Sequence, residues 1–334
     1  MSDKENIIPS PVLDKREQAI FNGLTYKYIQ VKNPGTVSKF ADKLLNVATE
    51  DIKILGWDVK KTISEKELYN QCMKIVVDGF KVIEEKTAKH TISKDTIIQQ
   101  VNQAVTYTNV TRLDEICLVR CYDIDKLITF QKYQNLAFMF LEGSATGVLG
   151  FAGMPFNLVL STFLFFRAVQ SIAMFYGYDV VNNENEMIIA SQIFMKTLMP
   201  EDESEISQII EKFMMLNFPT AFSKVSGDRE NVKVKESTKT LLTQLNNTAE
   251  KYAGKAVETV GQKTFEEKVF KELFEQVGKK IAKTIMKKSV PVVSLATGAL
   301  IDTVQMKKLI DYAKIFYCKR FIVEKETRIK ELQD

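Results

Sequence analysis

One histidine in 334 residues leaves little room for imidazole chemistry. His90 sits in the polar stretch EEKTAKHTISKD and reads as a solvated loop residue, so nucleophile–histidine catalysis has no other imidazole to draw on. Cysteine is also scarce. Cys72, Cys117, Cys121 and Cys318 show no disulfide-framework spacing, and the opening MSDKENIIPSPVLDKRE lacks the apolar h-region of a secretory leader. The expected location is therefore the cytoplasm, where thiols stay reduced. Cys117 and Cys121, four apart, share a helix face, but a zinc site wants four ligands and no second histidine or cysteine pair supplies them. They read as buried small hydrophobes, and neither metal nor cofactor is expected.

Glycine and proline, 14 and 7 in number, give a strand-and-turn architecture little punctuation, and strict two-residue alternation over strand length is rare. No phosphate-binding glycine loop with Lys-Ser/Thr is present. Gly147-x-x-Gly150-x-x-Gly153 lies in an apolar stretch without the preceding strand a dinucleotide fingerprint needs. A surplus of one charge is missing as well: 46 basic against 42 acidic residues leave +4. The C-terminal AKIFYCKRFIVEKETRIKELQD mixes aromatics with lysine and arginine, but its glutamates cancel the field a phosphate backbone requires, so no nucleic-acid partner is expected.

What is present is an ordinary globular balance, 45% hydrophobic and 26% charged, in a chain long enough for one large core. Helical periodicity dominates. Ser64 and Glu67 form a capping-box pattern ahead of Leu68, Cys72, Ile75, Val76 and Phe80. Thr264 and Glu267 repeat it ahead of Val269, Phe270, Leu273, Phe274, Val277 and Ile281. The expected fold is all-α, a single multi-helix domain of about ten helices, with 223–238 as a polar loop. Residues 1–30 read as a partly helical extension, 31–326 as the helical domain and 327–334 as a tail.

From Gly143 to Phe166 no residue is charged, a length that in helical form could cross a bilayer. Gly147, Gly150, Gly153 and Pro155 interrupt it, and proline disfavours helix in the residue before it while suiting a first turn. The expectation is an apolar helical hairpin with a second arm starting near Pro155. Antiparallel arms bring Glu142 and Arg167 to comparable depth, about 12 and 18 Å from the turn, where they can pair. A second apolar stretch, Ser289–Ile301, contains Pro291 and many small residues that favour close packing against the hairpin. Before it stand Lys279, Lys280, Lys283, Lys287 and Lys288, which suit either an anionic surface or the C-terminal end of a helix dipole. From Lys263 onward 16 basic residues face 10 acidic ones, so this is the basic end of the chain.

The segments EGSATGVLGFAGMPFNL, FRAVQSIAMFYGYD and KKSVPVVSLATGALIDTVQMKKLIDYAKIFYCKRF together resemble the EcsC family of bacterial cytoplasmic proteins. The resemblance falls on Glu142, Gly143, Gly147, Gly150, Pro155, Arg167, Tyr176, Gly177, Asp179, Pro291, Gly298, Ala299, Tyr317 and Arg320. Two positions depart from the family pattern: the aspartate after the proline is Asn157, and the C-terminal asparagine is Asp302. The pair of departures is either coincidence or an exchange between two partners that hydrogen-bond each other. The resemblance implies a polar cluster of Glu142, Asn157, Arg167, Asp179, Asp302 and Arg320, with close packing at Gly143, Gly147, Gly150, Gly153, Pro155 and Gly298.

The family takes its name from a gene beside those of an ABC-type exporter, which implies work at the cytoplasmic membrane face without naming an activity. The first functional expectation is a peripheral helical protein that docks on a membrane or membrane complex through the hairpin and the lysine cluster. A second is an enzyme using Glu142, Arg167 and Asp179 in a cleft, with Glu184 and Glu186 as further carboxylates, although first-turn acids also follow from the helix dipole. A third is a scaffold binding a partner helix over Met154, Phe163, Phe165, Phe166 and Met174, a stripe that suits a core equally well.

Overall fold

The computed structural model describes residues 7–32, 93–129, 154–200, 203–217, 229–260, 265–288 and 303–334. Among these residues the chain forms nine α-helices and one 3-10 helix, with no strand, in a single helical domain. They are α1 (Lys15–Lys32), α2 (Lys94–Ala104), the 3-10 helix (Leu113–Leu118), α3 (121–129), α4 (Met154–Phe175), α5 (Glu184–Leu198), α6 (Glu205–Met215), α7 (Arg229–Val260), α8 (Phe265–Lys288) and α9 (Thr303–Glu331). The all-α expectation holds. The boundaries expected at 30/31 and 326/327 fall inside α1 and α9.

Local chemistry starts these helices where side-chain oxygens can satisfy their first N–H groups. Asp14 and Glu17 exchange hydrogen bonds with each other's backbone N–H at the start of α1, a reciprocal capping box. Asn183 accepts from the N–H groups of Asn185 and Glu186 ahead of α5, and Ser204 accepts from Ser207 ahead of α6. α4 opens at Met154 with Pro155 in its first turn, where a fixed φ costs nothing. α8 opens at Phe265, directly after Thr264 as its capping pattern predicts. One expectation is corrected: from Arg229 onward the polar stretch 223–238 is helix, not loop. Its Glu and Lys residues are good helix formers, and the stripe Leu242, Leu245, Ala249 and Ala253 further along buries the same helix against the body.

Helix α9 is the axis of the molecule. It packs against α1, α4, α5, α6 and the 3-10 helix, so its Leu309, Ile310, Phe316, Tyr317, Phe321 and Ile322 are buried on several sides. Beside it, a phenylalanine cluster joins α4, α5 and α8. Phe166 meets Phe194 edge-on at 5.7 Å and Phe270 at 5.0 Å, while Phe163 stacks on Phe270 at 5.1 Å. Each such side chain contributes about 1.5–3 kcal/mol through burial. Phe163, Phe165, Phe166 and Met174 are thus core, and the exposed groove that a scaffold reading requires does not form from them. The side chain of Met154 lies outside the described residues.

The first arm of the expected hairpin, including Glu142, Gly143, Gly147, Gly150 and Gly153, lies outside the described residues, as do the segment around Ser64, Cys72, His90 and the stretch Ser289–Ile301. Among the described residues, no helix is long and apolar enough to cross a membrane.

Candidate functional site

The segment YCKRFIVEKETR of α9 carries Lys319, Arg320 and Lys325 into the interior, where a charge persists only if it is paired and hydrogen-bonded, and leaves Arg328 half-buried at its end. Lys325 and Glu17 are both fully enclosed, and Lys325 Nζ lies 2.7 Å from Glu17 Oε1. Arg120 Nη1 approaches the other oxygen of Glu17 at 2.8 Å, the N–H of Cys121 donates to Oε1 at 3.1 Å, and Lys325 also donates to the carbonyl of Val119 at 2.9 Å. One carboxylate therefore serves two cations and ties α1 to α9 and to the start of α3. Burial lowers the pKa of Lys325, and the field of Glu17 opposes that shift.

Lys319 has no carboxylate in its hydrogen-bonding shell. Its three N–H groups reach Thr25 Oγ1 at 2.7 Å, the carbonyl of Met214 at 2.7 Å and that of Leu216 at 2.6 Å. The two carbonyls belong to the C-terminal end of α6, the negative end of its dipole, and the Phe21 ring lies 4.5 Å from the ammonium. Three donors on three oxygens is the pattern of the charged form. Burial nevertheless pushes its pKa down to about 7.

Arg320 forms a bidentate pair with Glu186 at 2.7 and 2.8 Å and reaches Glu324 at 3.0 Å and Asn246 at 3.3 Å. Burial alone lowers its pKa, but the two carboxylates outweigh that and hold it well above the usual range. Its guanidinium lies 4.1 Å from the Tyr178 ring centroid, and that of Arg328 lies 4.9 Å from it. Tyr178 also donates to Glu324 at 2.9 Å and packs on Tyr317 at 5.5 Å. Arg328 donates to the carbonyls of Tyr176 and Gly177 at 2.9 and 3.0 Å. The Tyr-Gly-Tyr-Asp turn after α4 and the Tyr317/Arg320 pair of α9, distant in sequence, thus form one cluster.

Two further members of the expected polar cluster, Arg167 and Asp179, have partners of their own. Arg167 pairs with Glu266 at 2.7 Å and donates to Gln170 at 3.2 Å, and its guanidinium lies about equally over Phe163 and Phe270, at 5.0 and 5.1 Å. Burial lowers its pKa against the attraction of Glu266. Asp179 is bound by Lys94 and accepts from the N–H groups of Val181 and Asn182. Burial raises its pKa, but the hydrogen bonds from Lys94 and Asn182 prevail and lower it. Glu142, Asp302 and Gly298 lie outside the described residues, and Pro155 and Asn157 are placed only as positions in the first turn of α4. Lys279, Lys280, Lys283, Lys287 and Lys288 occupy the last three turns of α8, with side chains outside the described residues.

Among the described residues no group of three or more His, Cys, Asp and Glu side chains could hold a metal ion. Cys117, Cys121 and Cys318 are buried thiols. The Cys121 pKa is raised, first by its hydrogen bond with Cys318 and then by burial, while burial pushes Cys117 up to about 11. Raised thiol pKa values make poor nucleophiles. Glu17, Arg120, Lys319 and Lys325 were not singled out in the sequence. Two signals pointed to them: the Asp14-x-x-Glu17 capping box, and an apolar content in α9 too even around the helix for a solvated face.

The EcsC protein family model matches residues 27–322. No curated protein and no solved structure matches the chain.

Proposed function

The chain belongs to the EcsC protein family, and on that premise we propose that it is a peripheral protein of the cytoplasmic membrane face, without catalysis of its own, that docks on anionic lipid or on a membrane complex such as an ABC-type exporter. The observation that carries this reading is helix α8. It runs unbroken through Lys279, Lys280, Lys283, Lys287 and Lys288, and the thirteen residues that follow, Ser289–Ile301, carry no charge. A lysine-rich helix end feeding an apolar segment matches the chemistry of a lipid headgroup layer over hydrocarbon.

Among the described residues the enzyme reading draws no support from the charges it needs, and its Glu142 lies outside them. Arg167 and Asp179 have separate partners, Glu266 and Lys94, and Glu186 is held by Arg320. Groups consumed in internal pairs hold helices together and are not free to move protons.

Co-sedimentation with vesicles of phosphatidylcholine, with and without phosphatidylserine, tests the proposal. Binding to the anionic vesicles that weakens with salt and with replacement of the five α8 lysines by glutamine is the expected result. Failure of the wild-type protein to bind either vesicle at low salt rejects it.

A further inference from the structure

The outward side of α1 carries a pattern that the internal pairs do not explain. The helix holds four basic residues, Lys15, Arg16, Lys27 and Lys32, all exposed, and one acid, Glu17, which is fully enclosed. The field it presents to solvent is therefore of one sign. On the same helix Tyr26 is 65% exposed and Ile29 39%. The end of α6 lies alongside, fixed by the hydrogen bond from Thr25 to the carbonyl of Leu216 at 2.6 Å and by the Lys32–Glu211 pair at 3.4 Å. There Met215 is 47% exposed, one turn beyond the exposed Lys212. Glu211, the acid facing this surface, is shared between Lys32 and Lys196.

We infer that this face of α1 and the end of α6 forms a docking surface for an anionic lipid headgroup layer. The inference rests on the membrane-face reading above and supplies it with a contact separate in sequence from the α8 lysines. Three features select lipid over an acidic protein. A tyrosine, an isoleucine and a methionine standing among lysines suit the boundary between headgroups and acyl chains. The basic residues are spread along the whole helix instead of grouped for a bidentate partner. Beyond Leu216 the sequence runs Asn-Phe-Pro-Thr-Ala-Phe, free of charge and with two phenylalanines. Of the α1 residues on this surface, Lys15, Arg16 and Tyr26 precede residue 27, where the family match begins.

The test compares wild type with Lys15→Glu/Lys27→Glu and with Tyr26→Ser/Ile29→Ser on phosphatidylcholine vesicles with and without phosphatidylserine. Both pairs alter exposed side chains, and unchanged thermal unfolding verifies that the fold survives. Each is expected to weaken binding to the anionic vesicles by about tenfold or more. A Tyr26→Trp variant is expected to blue-shift its emission on anionic vesicles only, measured over the background of Trp57. Wild-type binding that both α1 variants retain, while the α8 lysine variant loses it, overturns this inference and leaves the membrane reading standing. No vesicle binding by wild type rejects both. Binding to soluble polyglutamate equal to that on vesicles, with no shift of the tryptophan, identifies an acidic protein partner and also overturns the inference.

Discussion

Glu17 shows how much one carboxylate can organise. It is enclosed with Lys325 and Arg120 around it, so its removal leaves Lys325 in a low-dielectric interior with no counter-charge and Arg120 with only Asp14, 3.8 Å away. Glu17→Ala is expected to cost about 3–5 kcal/mol in urea denaturation, and adding Lys325→Met should return part of that loss, because apolar replacement of both partners is cheaper than orphaning one. A cost below about 1 kcal/mol would mean the triad does not hold α1 in place. Lys319 makes a different prediction. Its folded pKa, pushed down to about 7 by burial, lies below the ordinary lysine value, so the unfolded chain binds more protons between the two. The sign follows: stability rises with pH through that window. From about pH 7 to about pH 9 the gain is expected to reach about 2 kcal/mol, before Cys117 and the buried tyrosines, whose raised values act in the opposite sense, begin to remove stability. Lys319→Met should flatten the profile, and an equal slope in wild type and variant would exclude Lys319 as its source.

At the level of elements, the turn between α4 and α5 is where sequence motif and structure coincide most closely. Gly177 adopts φ of 80°, and a Cβ there would lie 2.4 Å from Arg328 Nη2 and 2.7 Å from the carbonyl oxygen of Leu113. Backbone strain and a clash with main chain act together, so Gly177→Ala is expected to lose about 3 kcal/mol or more by thermal unfolding. A neutral result would mean the turn can rearrange without Arg328. The starts of α4 and α8 were legible from local sequence patterns, Pro155 suiting a first turn and Thr264-x-x-Glu267 reading as a capping box ahead of Phe265, where the helix begins. The start of α7 was not. Polar composition over 223–238 resembles a loop, and only the apolar stripe beginning at Leu242 shows that a long helix has something to pack on. The charge pairs were less legible still. Arg167 was placed correctly on the helix after the proline, but Glu266, its partner, is about a hundred residues away and no spacing rule links the two.

For the whole molecule, the element whose place the sequence left open was α9. It reads there as the basic end of the chain with its charges balanced by glutamates, yet it lies at the centre because almost every charge in its middle has a partner contributed by another helix: Glu17 from α1, Glu186 from α5, the carbonyls at the end of α6. That arrangement carries a consequence for cooperativity. A helix packed against α1, α4, α5, α6 and the 3-10 helix cannot open without breaking its contacts with all of them at once, so its amides should exchange with solvent only through global unfolding. Hydrogen–deuterium exchange is expected to give the α9 amides from Leu309 to Ile322 an opening free energy equal to the global value from denaturation. The short helix α2, which packs on α4 and the 3-10 helix and buries only Ile97 and Val101, should open at a lower cost. In Glu17→Ala the α9 protection should fall together with the global stability, since the two report the same event. Fast exchange in α9 while α2 stays protected would mean that the interior charges loosen the centre of the fold and that its rigidity resides in the phenylalanine cluster between α4, α5 and α8.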